Sequence, residues 1–106
     1  MKSISPQELS TWQAQGKALR LLDVRRAQAL QTSGVQIAQA DWKDPALWLD
    51  WKDAVPNDLP VVLYCAHGHE ISQGLTAALS AMGLDARFLE GGMSGWQAQG
   101  LPVQSV

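Results

Sequence analysis

The sequence predicts an α/β fold in which helices cover both faces of a central parallel sheet. Three short apolar runs, at 18–24, 61–64 and 87–89, have the length and composition of buried strands. Segments with helical periodicity separate these runs, and this alternation implies a parallel sheet with right-handed crossovers. The chain has 106 residues and no repeat or linker, so residues 1–106 are expected to form one domain.

The first helix is predicted to begin at Ser5, whose side chain can cap it. Pro6 suits the first helical position, and Glu8 can complete a capping box. Gly16 ends this segment. The run 18–24 then forms the first predicted strand, and its nearly continuous apolar character predicts burial on both faces.

The segment between residues 25 and 55 has weaker patterns. Residues 26–31 are consistent with a short helix, and residues 35–40 with a short strand after a Ser33-Gly34 turn. Residues 44–55 are predicted to form one helix, because apolar residues recur there at offsets of three and four. The apolar stripe of this helix comprises Leu47, Trp48 and Trp51.

The best candidate for a central strand is 61–64, a β-branched apolar run that follows a turn-rich segment. A helix is predicted from Ser72 to a stop at Gly83. Its apolar face comprises Leu75, Leu79 and Met82. Residues 87–89 form the last predicted strand, and a short helix follows near Trp96.

Five tryptophans are present in this small chain. Trp12, Trp48 and Trp96 fit helix faces and are expected to pack in the core. Trp42 and Trp51 are expected to be partly exposed, where they could line a surface for a partner or a substrate.

Composition and charge argue against several classes of partner. Eight basic and ten acidic residues give a net charge of -2, which provides no electrostatic footprint for nucleic acid. The longest run of like charge is Arg25-Arg26, and no apolar stretch approaches the ~20 residues that span a bilayer, so no membrane partner is expected. The lack of an apolar N-terminal signal and the single cysteine predict a reducing, cytoplasmic location. No self-complementary patch is evident, so we expect a monomer or a weak dimer.

Cys65 is the candidate nucleophile. It directly follows the strand 61–64, and ligands of parallel sheets bind beyond the carboxyl ends of the strands. The next loop contains Gly68 and can curl so that its N–H groups face inward, which would stabilise a thiolate and bind an anionic substrate. The predicted substrate-binding cradle comprises Ala66, His67, Gly68, His69, Glu70, Ile71 and Ser72. The alternative is an inert buried thiol, but such a cysteine belongs within the strand and not at its end.

Several segments, in the same order along the chain, resemble single-domain rhodaneses. They are 22–25, 61–65, Gly68, 72–79, 89–96 and 100–103. The resemblance implies a five-stranded parallel sheet and a sulfurtransferase that needs no cofactor. In that family the cysteine takes a sulfane sulfur from thiosulfate, a polysulfide or a persulfide and holds it as a persulfide. It then passes the sulfur to a thiol or cyanide-type acceptor, and the thiol could belong to a thioredoxin-like protein.

The sequence departs from this family where many rhodaneses carry arginines. Ala66 occupies the position after the cysteine, and Glu70 or Ile71 occupies the position near the far end of the loop. Thiosulfate is therefore expected to bind weakly, and a persulfide or polysulfide donor is favoured.

Residues near the loop could support the site. Asp23 lies at the carboxyl end of another predicted strand, where its hydrogen bonds could fasten a neighbouring loop. Arg25 or Arg26 could lend positive charge to the pocket. His67 and His69 could present a donor or a cation near neutral pH, although solvated loop histidines are the simpler interpretation, above all for His69. No metal site is expected, because the chain has no further Cys or His to complete one.

Two alternative functions keep the same fold. Counted back from Ser72, the loop is one residue longer than in the usual sulfurtransferases, which favours a rhodanese-fold arsenate reductase or phosphatase. Against this, Ile71 stands where those enzymes place an arginine, and Glu70 would repel a phosphate. The other alternative is a non-catalytic rhodanese-like module that binds a partner or senses a thiol reagent.

Overall fold

The computed structural model describes all residues from 1 to 106 and contains one five-stranded parallel sheet and a separate strand pair. The strands are β1 (Lys2–Ile4), β2 (Arg20–Asp23), β3 (Val35–Ile37), β4 (Asp41–Trp42), β5 (Val61–Tyr64), β6 (Ala86–Leu89) and β7 (Val103–Ser105). The helices are α1 (Pro6–Ala14), α2 (Ala27–Ser33), α3 (Trp48–Trp51), α4 (Glu70–Ala81) and α5 (Gly92–Ala98). The main sheet has the order β1-β6-β5-β2-β4, and every pair in it is parallel.

Strand β5 lies at the centre of the sheet, as its apolar sequence predicts. All four of its residues are buried, and successive side chains point to opposite faces. Val62 and Tyr64 pack in one apolar cluster with residues of α1 and α5. Val61 and Leu63 pack in a second cluster with residues of α3 and α4. Helices therefore cover both faces, which confirms the predicted α/β fold class.

The N-terminal capping prediction is confirmed in detail. The Ser5 side chain accepts a hydrogen bond from the Glu8 backbone N–H, and the Glu8 carboxylate accepts one from the Ser5 backbone N–H. These bonds satisfy donors that the first helical turn leaves free. Strand β1, just before this cap, was missed because its three residues begin with the polar pair Lys2-Ser3.

The prediction of a strand over 35–40 is only partly correct. Residues 35–37 form β3, which pairs antiparallel with β7 and lies outside the main sheet. The position beside β2 is taken instead by β4, at 41–42. A strand of two residues has no periodicity that a sequence could reveal, and the pairing of β3 with β7 depends on the distant C-terminus.

The prediction of one helix over 44–55 is wrong. The segment contains a 3-10 turn at 45–47, the four-residue α3 and a second 3-10 turn at 52–54. Its apolar stripe is also broken: Trp51 is buried, contrary to the prediction of partial exposure, whereas Leu47 is 52% exposed. The Trp51 indole donates to the Asp44 carbonyl at 2.8 Å and its ring packs edge-on against Trp48, so side-chain packing fixes this segment more than helical propensity does.

The boundaries of helix α4 differ from the predicted ones, and none of the helices is long. Helix α4 begins at Glu70, two residues before the predicted start, and Met82 is exposed at its C-cap instead of lying on its buried face. No helix has the length and apolar character needed to cross a bilayer.

Candidate active site

Cys65 lies at the carboxyl end of β5, beside the end of β2. The parallel register places Asp23 opposite Tyr64, and the Val24 N–H donates to the Tyr64 carbonyl at 2.9 Å. The two strands therefore end together, and the chain turns at Cys65 with 6% of the residue exposed. This is the edge of the sheet at which parallel α/β folds bind ligands.

The loop that follows, residues 66–69, is held in shape by close backbone packing. Gly68 has φ +75° and lies so near Gly91 that a Cβ on it would meet the Gly91 backbone nitrogen at 2.7 Å. Gly92 has φ +56°, and a Cβ there would approach the Cys65 carbonyl oxygen at 2.4 Å. Glycine is required at both positions for its conformation and for its lack of a side chain.

The first turn of α5 binds the carbonyl groups of the loop. The Met93 N–H donates to the Cys65 carbonyl and the Ser94 N–H to the Ala66 carbonyl, both at 2.9 Å. The segment 89–96 supported the family resemblance, but the sequence did not indicate that it contacts the cysteine loop. With two carbonyl groups directed toward α5, the N–H groups of the loop are free to face the sulfur.

The surroundings of the sulfur favour a thiolate. Burial raises the pKa of the Cys65 thiol, but the hydrogen bond to the Ser72 side chain and the backbone N–H groups of Ser72, His69 and His67 lower it by more. The pKa therefore lies below its ordinary value. The distance from Cys65 Sγ to Ser72 Oγ is 3.2 Å, and Ser72 is fully buried in the first turns of α4.

The early start of α4 changes the predicted cradle. Only residues 66–69 separate Cys65 from the helix, so Ser72 does not mark the end of the loop and the count back from it does not measure the loop length. Glu70 and Ile71 belong to the first helical turn. Their side chains line a groove of about 590 Å³ beside the loop. Ala66 lines a separate, smaller cavity of about 130 Å³.

Asp23 and Arg25 form a buried pair behind the site. The Arg25 guanidinium contacts the Asp23 carboxylate at 2.7 Å, with the side chains 2% and 0% exposed. Asp23 also accepts hydrogen bonds from the Arg25 backbone N–H at 3.1 Å and the Tyr64 hydroxyl at 3.0 Å. These contacts fasten the chain after β2 to the end of β5. The suggestion that Arg25 lends charge to the pocket is not supported, because its guanidinium is engaged by Asp23 and by the Val35 carbonyl.

The remaining polar side chains of the loop are exposed. His67 Nδ1 lies 2.9 Å from Ser94 Oγ, a contact between distant parts of the sequence that no local pattern could reveal. His69 is the N-cap residue of α4, but its side chain makes no capping hydrogen bond. No three side chains among the His, Cys, Asp and Glu residues are grouped to hold a metal ion.

Comparisons with known proteins agree with this geometry. The sequence model of the family described as Rhodanese-like domain matches residues 5–99. The thiosulfate sulfurtransferase GlpE of Actinobacillus succinogenes is 34% identical over 87 residues, which cover 81% of this chain and 76% of that protein. The probable adenylyltransferase/sulfurtransferase MoeZ of Mycobacterium tuberculosis is 32% identical over 100 residues, which cover 94% of this chain but only 26% of that protein. This chain thus spans about a quarter of the length of MoeZ.

Solved structures show the same fold. A rhodanese-like domain protein from Staphylococcus aureus is 30% identical with a TM-score of 0.82, covering 99% of this chain and 100% of that one. A rhodanese-related protein from Thermoplasma volcanium is 28% identical with a TM-score of 0.85, covering 98% of both chains.

Proposed function

Because the chain belongs to the rhodanese-like domain family, we propose that it is a sulfurtransferase that carries a sulfane sulfur on Cys65 as a persulfide. The observation that supports this most directly is the environment of the Cys65 sulfur. The Ser72 hydroxyl and the backbone N–H groups of Ser72, His69 and His67 lower the pKa of the thiol against the effect of burial. A thiolate is the nucleophilic form of cysteine, and the same donors suit a persulfide anion.

The proposed transfer proceeds in two displacements. In the first, the Cys65 thiolate attacks the outer sulfur of the donor. The Sγ–S bond forms as the S–S bond of the donor breaks, and sulfite or a thiolate leaves with the bonding electron pair. In the second, an acceptor thiolate attacks the bound sulfur, becomes a persulfide and restores the Cys65 thiolate. Each step exchanges one bond to sulfur for another, as in ping-pong covalent catalysis, and needs no external oxidant.

The charges around the loop favour a persulfide or polysulfide over thiosulfate as donor. Glu70 adds a negative charge at the start of α4, and Arg25 is paired with Asp23. The doubly charged thiosulfate ion would therefore meet the Glu70 carboxylate beside the loop, with Arg26 as the one guanidinium in the adjacent groove that makes no salt bridge. A reducing compartment, which the single cysteine predicts, would keep the thiol free.

Mass spectrometry of the intact protein tests the proposal. Wild-type protein incubated with polysulfide, an organic persulfide or thiosulfate and then desalted should gain the mass of one sulfur atom. Cys65→Ser should gain none and should keep the circular dichroism spectrum of the wild type. A wild-type protein that stays unmodified with all three donors would contradict the proposal and favour a non-catalytic module.

No specific observation now favours arsenate reduction or phosphate ester hydrolysis. That alternative depended on a loop length counted back from Ser72, and because α4 begins at Glu70, Ser72 does not mark the end of the loop.

A further inference from the structure

A groove of about 590 Å³ lies beside the cysteine loop, and none of the residues that line it is a hydrogen-bond partner of the Cys65 sulfur. Its apolar wall includes Ile71 and Leu75 of α4. These side chains also pack against the apolar cluster that contains Cys65. Ile71 directly precedes Ser72, whose hydroxyl contacts the sulfur. The groove and the sulfur therefore share the first turns of α4 as a common wall, and the volume of the groove is in the range of small-molecule sites.

Two oppositely charged side chains of this groove make no hydrogen bond or salt bridge within the protein. Arg26, at the N-cap of α2, and Glu70, at the start of α4, are both exposed and make no salt bridge. A third element contributes Asp44, but its carboxylate accepts a hydrogen bond from the Ala46 N–H and so helps to order the wall. The groove thus offers one guanidinium that has no acidic partner and two carboxylates, of which Glu70 is the one that accepts no hydrogen bond.

We propose that this groove binds the amino acid end of a small zwitterionic persulfide, with its carboxylate at Arg26 and its ammonium group at Glu70. The inference rests on the proposed sulfur transfer and names the class of donor for it, of which cysteine persulfide is the simplest member. Arginine binds carboxylates through a planar set of donors, and a carboxylate is the natural partner of an ammonium group. A simple sulfonate or polysulfide would use only one of the two charges.

The transfer from such a donor is balanced. The Cys65 thiolate attacks the terminal sulfur of R–S–SH, the Sγ–S bond forms and the S–S bond of the donor breaks. The products are the Cys65 persulfide, which keeps the hydrogen of the donor, and R–S⁻. The total charge is the same before and after the step, and nothing else is oxidised or reduced.

The test compares the initial rate of Cys65 loading from three donors that differ in which of the two charged groups they carry. They are the persulfides of cysteine (both charges), mercaptopropionate (carboxylate only) and cysteamine (ammonium only). Arg26→Gln should raise the half-saturating concentration about fivefold for the two donors with a carboxylate, and Glu70→Gln about fivefold for the two with an ammonium group, since an exposed ion pair contributes up to about 1 kcal/mol. Each variant should leave the third donor at the wild-type value.

Matched substitutions outside the groove control for net charge. Arg20→Gln and Glu90→Gln remove one charge each, from side chains that contact Asp58 and Ser3, and should leave all three donors unchanged. If Arg26→Gln or Glu70→Gln shifts all three donors alike, or none, the inference is overturned while sulfur transfer stands.

Calorimetry separates the inference from the proposed function. Cys65→Ser cannot accept sulfur, so S-methylcysteine, an unreactive zwitterion, reports binding alone. We expect saturable binding that Arg26→Gln and Glu70→Gln both weaken. Absence of binding overturns the inference even if Cys65 loads with sulfur. Binding without loading in the wild type overturns the proposed function and leaves the groove as a zwitterion site.

Discussion

At the scale of single residues, the hydroxyl of Ser72 is the side chain that acts most directly on the candidate nucleophile. It lies 3.2 Å from Cys65 Sγ and lowers the pKa of the thiol. Ser72→Ala should therefore raise that pKa and shift the pH dependence of Cys65 alkylation to higher pH. Because Cys65 is the single cysteine, the rate of iodoacetamide labelling against pH reports this site alone.

The control for this substitution is Ser80→Ala, an exposed serine on the same helix, which should leave the pH profile unchanged. If Ser72→Ala shows the wild-type profile, the hydroxyl has no part in stabilising the thiolate. If the wild-type profile itself has the midpoint of a free cysteine, near about 8.5, a non-catalytic module becomes the better interpretation.

The buried pair of Asp23 and Arg25 makes a second prediction at this scale. Asp23→Asn leaves the Arg25 charge buried without a counter-charge, which should lower the free energy of unfolding by about 3–5 kcal/mol. Asp58→Asn breaks the exposed contact with Arg20 at 2.9 Å and should cost less than about 1 kcal/mol. Urea denaturation of both variants measures their free energies of unfolding. Equal losses of stability would show that the buried pair is no more important for stability than the exposed one.

At the scale of elements, the contact between α5 and the cysteine loop depends on glycine. Gly34 and Gly92 both have positive φ, but a Cβ at Gly34 would meet nothing within 4 Å, whereas one at Gly92 would meet the Cys65 carbonyl. Alanine at either position should cost about 1–2 kcal/mol for the left-handed backbone, and Gly92→Ala should cost roughly 1–3 kcal/mol more for the clash. Urea denaturation of the two variants tests this difference in stability. Similar losses of stability in both would mean that the backbone relaxes freely around Gly92.

The elements also show why sequence reasoning succeeded in part. The start of α1, the strand β5 and the position of Cys65 were predicted because each depends on neighbours within a few residues. The contacts of Gly92 and Ser94 with the loop join segments far apart in the sequence, so no local pattern could reveal them. The start of α4 was misplaced because His69 provides no side-chain cap to mark it.

At the scale of the whole molecule, the alternation of buried strands and helices was sufficient to predict the fold class, because a parallel sheet needs cover on both faces. The same alternation was insufficient to predict the strands at the edges of the sheet. Strands β1 and β4 have three and two residues, and their pairing is decided by the space beside β6 and β2 rather than by their own sequence.

The buried network between the two strand ends should make the whole fold sensitive to alkali. Burial raises the pKa of Tyr64 and the charge of Asp23 raises it further, and these effects outweigh the hydrogen bond that the hydroxyl accepts from the Ile37 N–H at 3.2 Å, which lowers the pKa. An unfolded tyrosine loses its proton near pH 10, whereas the folded protein retains it. The unfolded state then binds fewer protons, so this contribution to stability is complete below about pH 10 and is lost as the pH rises above it.

Urea denaturation of the wild type and Tyr64→Phe at neutral pH and above pH 10 tests this linkage. The variant loses the hydrogen bonds of the hydroxyl and should be about 1–3 kcal/mol less stable at neutral pH. Because it has no tyrosine to ionise, it should lack that part of the alkaline loss of stability. The free energies of unfolding of the two proteins should therefore converge as the pH rises. Tyr64 is the single tyrosine, so tyrosinate absorbance of the native protein reports this group directly. A native titration near the ordinary value, with the protein still folded, would contradict the account, because it would mean that Asp23 and the apolar core do not disfavour the charged form.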